Sequence, residues 1–183
     1  MRILIFCFLL ACFQGFTQTK LKKVQLSKTI SIALPEDFTP MTDDEIARKY
    51  FTFRKPAASF SDPQRLADFS FNENRTPWRK EDIALLQKFY KASYQQLYTK
   101  IDFIQEKIVV INKRSFVLFE FVAEVKDEET ESMNFGKVTR TYEFIQYTVE
   151  NEKVQIYHFS CPYQLMKNWQ NVAASFMQSV KIK

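Results

Sequence analysis

A single histidine and a cysteine lie three residues apart, at His158 and Cys161, and no other pair in the sequence has as much chemical potential. A cysteine–histidine nucleophile needs a thiolate within hydrogen-bond reach of the imidazole, with a third group to orient the base. The stretch 154–160 reads as a strand, in which residues three apart point to opposite faces. Unless the chain bends before Pro162, the two side chains are therefore separated. The expectation is a partly buried histidine and a packed free thiol. One histidine and one such cysteine also fall short of the roughly three or four ligands a zinc site takes. Asp127, Glu128, Glu129 and Glu131 could offer oxygens to calcium, but their spacing lacks the alternation and turn glycine of an EF-hand loop. A solvated hairpin connection explains them. Asp43, Asp44 and Glu45 read as the acidic first turn of a helix, which the helix dipole favours. No catalytic residue, metal ligand or cofactor is assigned.

Binding chemistry is better represented. Aromatic residues make up 16% of the chain. Tyr142, Tyr147 and Tyr157 could stack on sugars or bases, and cross-strand packing explains them equally well. Asn72-Glu73-Asn74-Arg75-Thr76-Pro77-Trp78-Arg79 joins a strand to a long helix and sets a tryptophan between two arginines, residue types enriched at binding hot spots. Arg75, Trp78 and Arg79 are the candidate partner-binding residues. The alternative is that Trp78 packs under the helix start while the arginines are solvated. The glycines are Gly15 and Gly136, too few for a phosphate-cradling loop. The net charge of +5 is modest and spread along the chain, which argues against nucleic acid as a partner.

The elements that must position these residues follow from hydrophobic period. The segment 28–34 alternates as a half-buried strand and Pro35 ends it. Thr42 and Glu45 form a capping box opening a short helix to about Tyr50. Residues 66–73 alternate again, with Leu66, Asp68 and Ser70 opposed to Ala67, Phe69 and Phe71. Thr76-Pro77 offers an N-cap and first-turn proline. From there Ile83, Leu86, Tyr90, Tyr94, Leu97 and Ile101 predict one face of a long helix over 77–101. The period then changes to two. Strands are expected at 103–111 and 115–125 around a turn at Asn112-Lys113-Arg114, with Val117, Phe119, Phe121, Ala123 and Val125 opposed to Glu120 and Glu124. After the acidic connection 127–136, strands 138–149 and 154–160 form a hairpin. Pro162 opens a last helix whose stripe is Leu165, Trp169, Val172, Phe176 and Val180. Its other face carries Lys167, Asn168, Gln170, Asn171 and Gln178. Helices at both ends of a run of hairpins imply an α+β fold, an antiparallel sheet with helices on both faces.

The chain opens with one charge, Arg2, and then runs apolar from Ile3 to Phe13. That length suits the core of an export signal, about 7–15 residues, and not the ~20 of a membrane span. Small residues Gly15 and Thr17 place cleavage before Gln18, so residues 1–17 are expected to be a signal peptide and 18–183 a single domain. An uncleaved anchor is one alternative. Lipidation at Cys12 is another, since Leu9-Leu10-Ala11-Cys12 resembles a bacterial lipobox. Losing Arg2 lowers the charge from +5 to +4. Cys7 and Cys12 leave with the signal, so Cys161 is the only mature cysteine and no internal disulfide framework forms. No later stretch is long and apolar enough for a transmembrane span.

Ile30-Ser31-Ile32-Ala33-Leu34-Pro35-Glu36-Asp37-Phe38, the helix 77–101 before a strand series, and the ending Phe176-Met177-Gln178-Ser179-Val180-Lys181-Ile182 together resemble the PsbP/Mog1/DcrB-like superfamily. The resemblance runs from about Lys28 to the end. It implies an α/β/α sandwich and a non-enzymatic binding or accessory role. The expected function is thus an exported binding or accessory module of the bacterial envelope, secreted or periplasmic, with an unknown protein or small ligand as partner. The alternative is a hydrolase whose carboxylates spacing alone does not identify.

Overall fold

The computed structural model describes residues 19–50, 55–126 and 136–183. Residues 1–17, with Cys12, and the acidic residues Asp127, Glu128, Glu129 and Glu131 lie outside them. In chain order the elements are β1 (Leu21–Gln25), β2 (Ile30–Pro35), β3 (Thr39–Pro40), α1 (Asp43–Lys49), β4 (Ala58–Ser61), β5 (Asp68–Arg75), α2 (Ile83–Leu97), β6 (Lys100–Ile111), β7 (Arg114–Lys126), β8 (Val138–Glu150), β9 (Lys153–Pro162), α3 (Met166–Met177) and β10 (Lys181–Ile182). Seven strands form one antiparallel sheet in the order β3-β4-β5-β9-β8-β7-β6, and β1-β2-β10 form a smaller one.

The two faces of β7 show why the large sheet needs cover on both sides. Phe116 and Leu118 point into one core, while Val117, Phe119, Phe121 and Ala123 point into the other. The first core lies under α3 and the small sheet, where Ile30, Ile32, Leu34, Ala173 and Phe176 meet Phe69, Phe71, Phe144, Tyr157 and Phe159. The second lies under α2, where Leu86 and Tyr94 meet Ile145, Tyr147, Val149 and Val154. The fold is the expected antiparallel sheet with helices on both faces, with a second small sheet beside α3. The capping box of α1 is present. Thr42 Oγ1 accepts from the Glu45 N–H at 3.3 Å, and Glu45 Oε2 accepts from the Thr42 N–H at 2.7 Å. The β6–β7 and β8–β9 hairpins each close through two residues at positive φ, Asn112-Lys113 and Asn151-Glu152, a backbone twist that matches that of the strands.

Several boundaries differ from the periodicity reading. Helix α2 begins at Ile83 after a 3-10 turn, not at Pro77, because Thr76 Oγ1 accepts from the Trp78 N–H at 3.3 Å and holds a local turn. It ends at Leu97, so Ile101 sits in β6. Leu97 is 67% exposed, and Tyr98, in extended backbone, turns into the core in its place. Helix α3 runs Met166–Met177 behind a 3-10 turn, and Val180 is buried on the way to β10. Gln170 is not on a solvent face: its Nε2 donates to buried Glu120 at 2.6 Å.

Candidate functional site

The three sequence-selected binding residues are brought together. Arg75 ends β5 in register with Lys153, and the next four residues cross the mouth of the β8–β9 turn. The Thr76 N–H donates to the Glu152 carbonyl at 3.0 Å, which fixes the crossing, and the Arg79 N–H donates to Asp82 Oδ2 at 2.9 Å, which fixes its exit. Arg75, Thr76, Pro77, Trp78, Arg79 and Glu152 line an open groove of about 620 Å³. Trp78 is half-buried and both arginines are exposed. The Trp78 ring lies 5.7 Å from Phe89, which meets Tyr90 at 5.4 Å, and Tyr90 stacks on Tyr147 at 3.9 Å. The indole is therefore seated on a rigid aromatic column reaching into the core.

Two residues missed in the sequence extend this surface. Leu85 and Phe89 stand one helical turn apart on α2 and are 55% and 52% exposed. Their spacing is visible in the sequence, but it belongs to a second apolar row beside the buried one. Residues four apart on a helix share a face, so a row outside the core-facing stripe was the available signal.

The chemical pair is split as expected. Cys161 pairs in register with Tyr142 and belongs to the α3-side core, while His158 pairs with Ser70 and Ile145 on the α2 side. Burial, then Glu143, pushes the Cys161 thiol up to about 12, so it is protonated at neutral pH. His158 Nε2 instead meets Glu143 Oε2 at 2.5 Å. Burial and then Glu143 also hold the Tyr98 phenol well above its usual range. Burial, and then Asp68, pushes Tyr50 to about 12. Among the described residues the His158 ring is hydrogen-bonded to the Glu143 carboxylate and to no hydroxyl or thiol.

On the opposite face Glu120 is buried but well partnered. It accepts from Tyr142 Oη at 3.0 Å, Gln105 Nε2 at 2.8 Å and Gln170 Nε2 at 2.6 Å. Tyr142 and Tyr157 are fully buried and Tyr147 nearly so, which leaves none of the three rings free to stack on a ligand.

No protein-family model matches the chain, and no curated protein matches it in sequence. Solved structures match it in fold. Cyanobacterial PsbP (CyanoP) from Synechocystis superposes with a TM-score of 0.58 at 13% identity, over 95% of this chain and 99% of that one. The Saccharomyces cerevisiae Ran-binding protein Mog1p gives 0.59 at 10% identity over 90% and 96%. LpqN of Mycobacterium tuberculosis, involved in cell envelope biogenesis, gives 0.54 at 9% identity over 90% and 91%. The chain therefore has the PsbP/Mog1-like fold. Identities this low carry the fold and leave function to the site.

Proposed function

We propose that this chain is an exported, non-enzymatic binding or accessory module of the bacterial envelope, and that it docks a protein partner through Trp78, Leu85 and Phe89. The observation that carries the reading is the exposure of Leu85 and Phe89 on the helix whose Phe89 meets Trp78, bordered by exposed Arg75, Arg79 and Lys88. Apolar groups left in water beside an aromatic anchor mark interaction surfaces. Three exposed cations against one groove-lining carboxylate, Glu152, favour a partner segment that presents an apolar side chain beside carboxylates. A neighbour named for cell envelope biogenesis and another named as a Ran-binding protein agree with an accessory role. The apolar run Ile3–Phe13 supports export. Among the described residues no helix is long and apolar enough to cross a membrane. A hydrolase reading has one foothold, the Glu143–His158 pair, and lacks a nucleophile bonded to the imidazole.

A photo-crosslinking residue at position 89, in the producing cells, tests the reading. One discrete partner is expected. Once purified, that partner should bind at least tenfold more weakly when Arg75→Glu and Arg79→Glu are combined. A partner indifferent to charge reversal, or no crosslink at all, overturns the docking surface. Mass spectrometry of the exported protein should place the mature N-terminus within two residues of Gln18. A diacylated Cys12 would replace the cleaved form by a lipoprotein, and an intact residue 1 would replace it by the uncleaved anchor.

A further inference from the structure

The face opposite the docking surface carries a second feature. Gln146 lies in β8, in register with Leu118 of β7 and Tyr157 of β9, and is 0% exposed. Neither its Oε1 nor its Nε2 has a hydrogen-bond partner. A buried amide with both ends unpaired bears the full desolvation penalty of each, and native folds satisfy the large majority of such groups. Its neighbours sharpen the contrast, because Glu120 on the same side is bonded three times over.

Gln146 forms part of the wall of a cleft of about 450 Å³. The cleft lies between Ala174 and Gln178 at the end of α3 and Gln105, Lys107 and Val109 of the edge strand β6. Leu118 and Phe144 supply apolar wall, and Gln105, Lys107 and Gln178 supply polar groups around it. The lining, which also includes Asn112, is mixed, and a cleft of this size with convergent polar groups can seat a small molecule.

We propose that this cleft binds a small planar ligand through a lactam or carboxamide edge, whose adjacent N–H and C=O pair with Oε1 and Nε2 of Gln146. A cyclic or primary amide is the chemistry that satisfies both atoms at once. Both atoms are fully buried in the cleft wall, so binding requires a side chain of the rim to move aside. The site is on the α3 side and does not depend on the α2 docking surface.

The test is nitrogen-15 NMR of the mature domain titrated with millimolar uracil and nicotinamide. Controls are 1,3-dimethyluracil and N,N-diethylnicotinamide, which lack the amide N–H. Uracil or nicotinamide should shift the Gln146 side-chain amide signals, and the alkylated controls should not. Gln146→Leu should weaken binding at least tenfold and raise the urea midpoint, since it removes two unpaired polar atoms from the buried wall. Gln146 signals that none of the four compounds moves would overturn the proposal. So would equal shifts with the alkylated controls. A lowered midpoint in the leucine variant would show that the carboxamide is bonded within the fold, and would overturn it equally.

Discussion

At Cys161 the local environment decides reactivity more than the residue type does. Its thiol is held at about 12 by burial first and by Glu143 next, against an ordinary 9.0. Because the folded value is raised, the contribution to stability is complete below about pH 9 and is lost as pH climbs toward 12. The urea midpoint should therefore be flat up to about pH 9 and fall above it, less steeply in Cys161→Ala. Iodoacetamide at pH 8 should leave the folded thiol unmodified, and rapid alkylation would contradict the burial. Neither His158→Gln nor Cys161→Ser should change partner affinity more than a few-fold, since both lie apart from the Trp78 groove. A loss beyond about a hundredfold in a folded variant would reassign the Glu143–His158 pair as a working site. The strand period was enough to part His158 from Cys161, because alternation is a local property. It could not reveal that Glu143 reaches His158, since that contact depends on how β8 and β9 are aligned.

Helix α3 was legible as an amphipathic element, and its apolar stripe does face the core. Trp169 meets Phe38 at 5.3 Å and Phe159 at 5.6 Å. Truncating it to alanine should cost about 3 kcal/mol, near the low end for a tryptophan because the ring is only half-buried. Exposed Asn168→Ala should barely move the midpoint. Gln170→Ala should cost about 1–3 kcal/mol, because it removes one donor from buried Glu120. Equal midpoints for the Asn168 and Gln170 variants would show that the Glu120 network contributes nothing. Gln170 read as solvent-facing because helical spacing alone cannot show how far a sheet extends beneath a helix flank. The start of α2 was misplaced for a related reason. Thr76-Pro77 carries a valid cap signal, and the turn that the threonine makes uses it up before the helix starts.

The order of strands and helices was readable across most of the chain because each long element has its own period. The short strands β1, β3, β4 and β10 were not, since pairing defines them and they carry little pattern of their own. β1 is almost wholly exposed along Leu21–Gln25, and β10 is two residues long. Yet they complete the α3-side core: Ile182 packs against it, Asn112 Nδ2 donates to the Val180 carbonyl at 2.6 Å, and the Lys183 N–H donates to Thr29 at 2.9 Å. Deleting residues 181–183 should therefore lower stability by about 1–2 kcal/mol, the scale of a partly buried isoleucine, with helical circular dichroism unchanged. An unaltered urea midpoint would make β10 incidental. The pairing of both chain ends with β2 also has a mechanical consequence. β1 starts beside Pro35 and β10 ends beside Ile30, so tension between the ends slides both strands along β2. Five residue pairs hold β1 and two hold β10, so the carboxyl end yields first and draws α3 off the sheet behind it. Held by its amino end and loaded through the Trp78 surface, the domain can bear force with that seam unstressed. Pulled by Lys183, it opens at its weakest joint.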